Sequence, residues 1–383
     1  MLSPSRSWFA LVSMPLLALL ASPLLTACGG EGDDGFGGDG SGGGLASGGS
    51  GSGGLPGSGG VPGAGGATGG AAATGGAAAT GGAVGTGGEA ALGKFVGNIT
   101  TENQMDFAGK SFATHWDQVT PENAGKWGSV QSTPASAFNW GTLDAIYDYA
   151  EDHDIVFKQH AFVWGSQQPS GTPTEAQVKT WIQSFCQRYP NTKVIDVVNE
   201  PPPHTEPNYS GAIGGGTNGN WAWITNSFKW ARQYCPNAVL VLNDYNNIEW
   251  SGDNAHFISI VQTVLENGGP IDAIGAQAHD LDHASVSTST MKTLIQKLHD
   301  DTGLPVYITE YDISTTDDQA QLTKYQEQVP YFLETEWIHG LTIWGWVRGK
   351  TWSQAPESGL MSQAGVPRPA FTWLMQQLGR PAP

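Results

Sequence analysis

The sequence predicts an α/β fold of the (β/α)8 barrel type, preceded by a signal peptide and a disordered Gly-rich linker. Strand-type and helix-type patterns alternate from about residue 93 to the end of the chain, and two strand-type segments end on glutamates, Glu200 and Glu310. A stretch of about 290 residues suits such a barrel, which typically takes about 250. An open doubly wound sheet is disfavoured because no Gly-rich phosphate fingerprint follows the first strand.

Residues 1–27 have the pattern of an export signal. One early cation, Arg6, precedes an apolar stretch that reaches Leu25, and prolines interrupt it, which favours a cleaved signal over a membrane span. The stretch ends in Leu-Thr-Ala-Cys28, which resembles the bacterial lipobox, where the cysteine becomes the lipidated first residue. We expect a lipid anchor on Cys28 and an extracellular or cell-surface location; the alternative is an ordinary signal peptide with a chance cysteine.

Residues 28–92 predict a flexible linker. They consist mostly of Gly, Ala, Ser and Thr, and Thr-Gly-Gly recurs at positions 68, 74, 80 and 86. These repeats contain nothing large to bury, so a tether is favoured over a β-helix. We expect no chemistry from this segment.

Charge and aromatic content restrict the class of partner. The net charge of −18 argues against nucleic acid, because phosphate binding needs a basic surface. All but one of the 15 tryptophans lie beyond residue 115, and indole rings stack well on the flat C–H faces of sugars. We therefore expect a neutral polysaccharide as substrate, with some of the tryptophans simply in the core.

From residue 93 to 383 the chain predicts one catalytic barrel domain. The predicted strands lie near 94–98, 112–117, 155–162, 193–199, 238–243, 272–277, 305–309 and 340–344. The predicted helices lie at 141–152, 174–188, 221–234, 253–267, 289–301 and 317–335, with a short closing helix at 371–378.

Polar and aromatic residues follow the predicted strands from the second to the eighth. In chain order they are Glu122, Asn123, Lys126, His160, Trp164, Gln167, Asn199, Glu200, Tyr245, Gln277, His279, Glu310, Asp312, Trp344 and Trp352. In a (β/α)8 barrel the active site is built at the carboxyl ends of the strands, so we expect these side chains to surround one site. Two carboxylates facing each other are the minimum needed to hydrolyse a glycosidic bond.

The order and spacing of these motifs resemble the family 10 glycoside hydrolases, whose best-known members are endo-β-1,4-xylanases. The resemblance covers roughly residues 93–379. It rests on Pro-Glu-Asn with Lys126-Trp127, His160 with Trp164 and Gln167, Val-Val-Asn-Glu200, Asn-Asp-Tyr245-Asn, Gln277-x-His279, Ile-Thr-Glu310-x-Asp312, and Trp344 spaced from Trp352. Two positions depart from the family pattern: Gly165 stands where a His is usual, and Arg348 where an Asp is frequent.

The resemblance implies a retaining xylanase with Glu200 as general acid/base and Glu310 as nucleophile. It implies that Asn199 binds the sugar 2-hydroxyl and that His279 holds Glu310, with Asp312 either fixing the His279 tautomer or serving only a structural network. The remaining residues would bind xylan: Glu122, Asn123, Lys126, His160, Gln167, Tyr245 and Gln277 its hydroxyls and rings, and Trp164, Trp344 and Trp352 as walls. A glycosidase for another β-1,4-glycan and a non-catalytic surface carbohydrate-binding protein are the alternatives.

No cofactor or metal is expected. His279, Asp280, Asp282 and His283 form a short cluster, but no further ligand is evident and the hydrolysis needs none. Cys186 and Cys235 predict a disulfide in an exported chain, with two separate buried thiols as the alternative. Nothing in the sequence suggests more than a monomer.

Overall fold

The computed structural model describes residues 92–216 and 219–383, in which eight parallel strands close into a barrel. The strands follow one another around the barrel in chain order, and the eighth pairs with the first. They are β1 Phe95–Ile99, β2 Gln118–Thr120, β3 Val156–Val163, β4 Val194–Asn199, β5 Val239–Asp244, β6 Ala273–Ala276, β7 Val306–Tyr311 and β8 Ile338–Ile343. The predicted barrel is confirmed. The predicted signal peptide, Cys28 and all but the last residue of the linker lie outside the described residues.

Helices connect the strands on the outside of the barrel. They are α1 Trp127–Val130, α2 Gly141–Asp152, α3 Glu175–Arg188, α4 Ala222–Tyr234, α5 Ser251–Glu266, α6 Thr288–Thr302, α7 Asp318–Glu334 and α8 Pro369–Gln377. Local signals set several ends: a capping box between Thr174 and Gln177 opens α3, and Gly303 closes α6 at φ 70°. None of these described helices is long and apolar enough to cross a membrane.

The predicted position of the second strand was wrong. Residues Phe112–Thr114 form a 3-10 helix, and the strand begins at Gln118. Phe112 and Trp116 are both buried, and the amide of Trp116 donates to the carbonyl oxygen of Phe112 at 3.0 Å. Two apolar residues four positions apart fit one turn of helix as well as an alternating strand, so spacing alone does not separate the two.

Apolar side chains fill the amino-terminal end of the barrel interior. Phe95, Val194, Val241 and Tyr307 belong to one buried cluster, and the rings of Phe95 and Tyr307 lie 5.7 Å apart. Gly340 leaves room for them, because a Cβ there would lie 2.5 Å from the Phe95 ring. This apolar cluster closes one end of the barrel, so ligands have access only at the carboxyl ends of the strands.

Cys186, near the end of α3, and Cys235, just past α4, form a disulfide in the structure. Both cysteines are buried. Helices of this fold run antiparallel to the strands, so their carboxyl ends lie at the amino-terminal face of the barrel, away from the strand ends that carry the predicted site. The bond therefore ties two neighbouring helices together without contributing to that site.

Candidate active site

A cavity of about 740 Å³ opens at the carboxyl ends of the strands. Thirteen of the predicted residues line it: Glu122, Asn123, Lys126, His160, Trp164, Gln167, Glu200, Tyr245, Gln277, His279, Glu310, Trp344 and Trp352. The other two, Asn199 and Asp312, are buried directly behind this lining, at 1% and 2% exposure. The structure thus brings all fifteen predicted residues into one site.

Glu310, on β7, is buried among hydrogen-bond donors and positive charges. Its Oε1 accepts from Asn243 Nδ2 at 2.8 Å, and its Oε2 lies 3.3 Å from His279 Nε2. Burial alone raises the pKa of this carboxyl, but the charges of His160, His279 and Lys158 outweigh burial and lower it to about 2. Glu310 is therefore ionised at neutral pH, as a carboxylate nucleophile must be.

His279 lies between two carboxylates. Its Nε2 faces Glu310, and its Nδ1 lies 3.2 Å from Asp312 Oδ2. Burial lowers the pKa of an imidazole, yet Asp312 and Glu310 together raise the pKa of His279 to about 10. Trp352 Nε1 donates to Asp312 Oδ2 at 2.9 Å, so the wall of the cleft and this charge network share a hydrogen bond.

A second charged group lies beneath Glu310 inside the barrel. Lys158 and His160 on β3 both contact Asp196 Oδ2. His160 Nδ1 lies 2.8 Å from this oxygen and 3.9 Å from Glu310 Oε1. All three partners are at most 2% exposed. Charges buried this deeply persist only when they are paired, and here Lys158 pairs with Asp196.

Glu200 follows β4 and has different surroundings. It is half-buried and adopts a left-handed backbone conformation with φ 52°. Its Oε2 accepts from Trp164 Nε1 at 2.8 Å and from Thr205 Oγ1 at 2.7 Å. Its Oε1 has longer contacts, 3.2 Å from Asn199 Nδ2 and 3.3 Å from Gln277 Nε2.

One side of the cleft is formed by the loop after β2. Lys126 Nζ donates to Asn123 Oδ1 at 3.1 Å and lies 5.0 Å above the Trp164 ring. Burial lowers the pKa of Lys126 and raises that of Glu122, while the two charges oppose both shifts. A cation, a carboxylate and an amide at one wall match the donors and acceptors of sugar hydroxyls.

Three tryptophans, Trp164, Trp344 and Trp352, line the cavity. The Trp344 ring lies 5.3 Å from the ring of His160, and the Trp352 ring lies 4.5 Å from that of His279. Trp164 faces both Glu200 and Lys126. Aromatic faces therefore border the two carboxylates on several sides, which favours a ligand with flat apolar faces and a polar rim.

The two departures from the family pattern have different surroundings. At Gly165 a Cβ would lie 2.4 Å from the carbonyl oxygen of Glu206, so the neighbouring loop occupies the space that a side chain would need. The Arg348 guanidinium pairs with Glu357 and is about one-third exposed. It is not among the residues that line the cavity.

Sequence reasoning missed two polar contacts to the carboxylates. Asn243 was noted only as part of a strand-end motif, yet its Nδ2 bridges Asn199 Oδ1 and Glu310 Oε1, each at 2.8 Å. Its position as the last residue of a predicted buried strand was the available signal. Thr205 lies in a loop whose sequence gave no signal of a contact with Glu200.

The cluster of His279, Asp280, Asp282 and His283 does not converge. Asp282 Oδ2 accepts from the amide of Ser314, and the His283 ring packs edge-on against Trp250. Within residues 92–216 and 219–383 no three such side chains are arranged to hold a metal ion.

Comparison with known proteins agrees with this geometry. The model of the glycosyl hydrolase family 10 matches residues 85–377. The chain belongs to this family. Endo-1,4-beta-xylanase B of Cellvibrio japonicus is 43% identical over 288 residues, which cover 74% of this chain and 45% of that protein. The bifunctional endo-1,4-beta-xylanase XylA of Ruminococcus flavefaciens is 27% identical over 73% of this chain and 33% of its own length. This family 10 chain therefore spans less than half the length of these two relatives.

Solved structures of family 10 proteins share the barrel. A GH10 structure from Paenibacillus barcinonensis superimposes with a TM-score of 0.65 and 22% identity, covering 75% of this chain and 96% of that one. Xylanase 10B of Thermotoga petrophila in complex with xylobiose gives a TM-score of 0.64 and 21% identity, over 75% and 94% of the two chains. At this level of identity the likeness shows the fold.

Proposed function

We propose that this family 10 protein hydrolyses internal β-1,4 bonds of xylan with retention of anomeric configuration. The observation that carries the proposal is the pair of glutamates after β4 and at the end of β7, which line one aromatic cleft in contrasting environments. Glu310 is buried among cations and ionised, whereas Glu200 is half-buried. The names of the relatives that match most of the chain, endo-1,4-beta-xylanases, support xylan as the substrate.

In the first step Glu310 attacks the anomeric carbon and Glu200 protonates the leaving oxygen. The network around Glu310 serves this step, because Asn243 and His279 hold its two oxygens in place. A doubly protonated His279 has no tautomer to select, so we assign Asp312 to stabilising its charge. The attack consumes the negative charge of Glu310 and forms a covalent glycosyl-enzyme.

In the second step Glu200 acts as base toward water. Once Glu310 is glycosylated, its negative charge is gone, and Glu200, left ionised by the first step, takes a proton from the incoming water. Asn199 lies next to Glu200, and its Oδ1 is held by Asn243 and Gln277. We assign Asn199 to the 2-hydroxyl of the sugar at the cleavage point, where a hydrogen bond strengthens in the transition state.

The other lining residues bind the polymer. We assign Glu122, Asn123, Lys126, His160 and Gln167 to hydroxyls on the non-reducing side of the bond, and Tyr245 with Gln277 to the region beside Glu200. Trp164, Trp344 and Trp352 wall the cleavage point. An unpaired hydroxyl in such a site costs about 1–3 kcal/mol, so these contacts govern affinity and chain register.

Product analysis tests the proposal. The protein is incubated side by side with unbranched β-1,4-xylan, cellulose and mannan, and product size and the anomeric signals of new ends are followed by NMR. We expect oligosaccharides from xylan, appearing first as the β-anomer. Release from another polymer instead would assign a different β-1,4-glycan, and binding without release from any polymer would indicate a carbohydrate-binding protein.

We propose that the barrel, starting near residue 93, is exported as a monomer and held at the cell surface through a lipid on Cys28 and the 28–92 linker. The lipobox-like sequence and the composition of the linker support this. Mass spectrometry of the mature amino terminus tests it: a diacylated cysteine is expected at position 28, and cleavage elsewhere without lipid would refute the anchor. A single monomer peak in size-exclusion chromatography with light scattering is expected for the oligomeric state.

A further inference from the structure

The segment 201–208, which follows Glu200, packs against the loop after β3. The amide of Gly165 donates to the carbonyl oxygen of Thr205 at 3.2 Å. A Cβ at position 165 would lie 2.4 Å from the carbonyl oxygen of Glu206 and 2.6 Å from that of Thr205. No real Cβ approaches backbone this closely, so any residue but glycine at 165 forces the segment away from its present position.

The other side of the same segment packs against the last residue of β5 and the residue that follows it. The His204 ring stacks on Tyr245 with centroids 3.8 Å apart, and its Nδ1 lies 2.7 Å from Asp244 Oδ1. The amide of Thr205 donates to the carbonyl oxygen of Glu200 at 3.0 Å. The segment is therefore fixed from both flanking loops, and Thr205 lies between the two supports.

From this position the Thr205 hydroxyl donates to Glu200 Oε2 at 2.7 Å, the shortest side-chain hydrogen bond to Glu200 within residues 92–216 and 219–383. Trp164 Nε1 contacts the same oxygen at 2.8 Å. Both groups donate to Oε2, so the proton of the neutral acid is carried by Oε1.

We propose that Thr205 is a positioning residue for the acid/base Glu200, and that the missing side chain at Gly165 is what allows it to reach that carboxyl. The inference rests on the proposed function. Glu200 changes protonation state twice in each turnover, and the Thr205 hydroxyl donates to Oε2 in both states, which leaves Oε1 to carry the proton that is transferred. The carboxyl therefore stays aimed at the leaving oxygen and later at water.

The experiment compares Thr205→Val, which keeps the shape and removes the hydroxyl, with Thr205→Ser, which keeps the hydroxyl. Each full-length variant is assayed for kcat/KM on unbranched xylan and on an aryl β-xylobioside with a dinitrophenolate leaving group. The aryl substrate needs no protonation of its leaving group, and kcat/KM reports only the steps through glycosylation of the enzyme. A residue that acts only through the acid should therefore affect xylan alone.

We expect Thr205→Val to lower kcat/KM on xylan about tenfold, the loss typical of one hydrogen bond to a charged group, and to leave the aryl substrate within about twofold. Thr205→Ser should restore activity on xylan. Gly165→Ala should give the same selective loss, and adding Thr205→Val to it should give little more, since both remove one contact. Gly211→Ala is the matched control, because a Cβ there meets nothing within 4 Å.

The outcomes distinguish a failure of the proposed function from a failure of the role of Thr205. If the wild-type protein is inactive on both xylan and the aryl xylobioside, the proposed function is overturned, and the role of Thr205 with it. An active wild type whose Thr205→Val variant is unchanged, or loses activity equally on both substrates, would overturn the role of Thr205 alone. A melting temperature for each variant shows whether an equal loss on both substrates comes from misfolding, and the folded Gly165→Ala variant then decides by its selectivity.

Discussion

Replacing His279 by glutamine should move the acid limb of the pH profile to higher pH. The pKa of Glu310 is about 2, against an ordinary 4.5, which at 1.36 kcal/mol per unit corresponds to roughly 3 kcal/mol in favour of the carboxylate. His279 contributes to this depression both by its charge and by a hydrogen bond to Glu310. Its own pKa of about 10 keeps it charged throughout the working range. Without it the carboxylate is less favoured and protonates at higher pH, so we expect the limb to rise by about one pH unit or more.

The assay is kcat/KM on the activated aryl xylobioside between about pH 2 and 8, because that substrate does not depend on the acid Glu200 and the free-enzyme profile reports the nucleophile. Circular dichroism at each pH separates titration from unfolding. His153→Gln is the control, since His153 is exposed at the end of α2. An acid limb that stays in place or moves to lower pH in His279→Gln would refute the electrostatic account of Glu310.

The remaining predictions concern the acid, the network and the scaffold. Glu200→Ala should lower kcat/KM on xylan by about 10²–10⁴-fold and be largely rescued on the dinitrophenyl substrate, and absence of rescue would indicate a different acid. Asn243→Ala should lower kcat/KM by about 10–100-fold on both substrates, because it removes a hydrogen bond to the ionised nucleophile; an effect confined to xylan would contradict this. The Cys186→Ser/Cys235→Ser double variant, which opens a loop with a sequence separation of 49, should lower the free energy of unfolding by about 4 kcal/mol in denaturant titrations with kcat/KM unchanged. A loss below about 1 kcal/mol would show that the bond adds little.

The sequence predicted the barrel and its carboxylates because both leave local patterns. β4 and β7 are buried over their whole length, and their sequences are apolar or β-branched runs that end near a glutamate. Glu200 and Glu310 could therefore be placed at strand ends from the sequence alone. The seven predicted helices agree with the structure to within two residues at each end, since caps and periodic apolar faces mark them, whereas the short α1 was not predicted. The predicted position of the second strand was wrong because the spacing of Phe112 and Trp116 fits a helical turn and an alternating strand equally well.

The parts of the site that escaped prediction depend on contacts between distant segments. Thr205 reaches Glu200 only because its loop rests on Gly165 on one side and on Asp244 and Tyr245 on the other. Asp196 did leave a signal, as a carboxylate inside an apolar strand must have a partner. That the partners are Lys158 and His160 follows from the pairing of β3 with β4 in the closed barrel.

Covalent trapping tests the central claim most directly. A 2-deoxy-2-fluoro-β-xylobioside with a dinitrophenolate leaving group should glycosylate the nucleophile and then hydrolyse slowly, because the fluorine destabilises the oxocarbenium-like transition states of both steps. Peptide mass mapping of the inactivated protein should find one singly labelled peptide whose fluoroglycosyl group is on Glu310. Label on any other residue, or hydrolysis of xylan with no trapped species and α-configured products, would contradict the account.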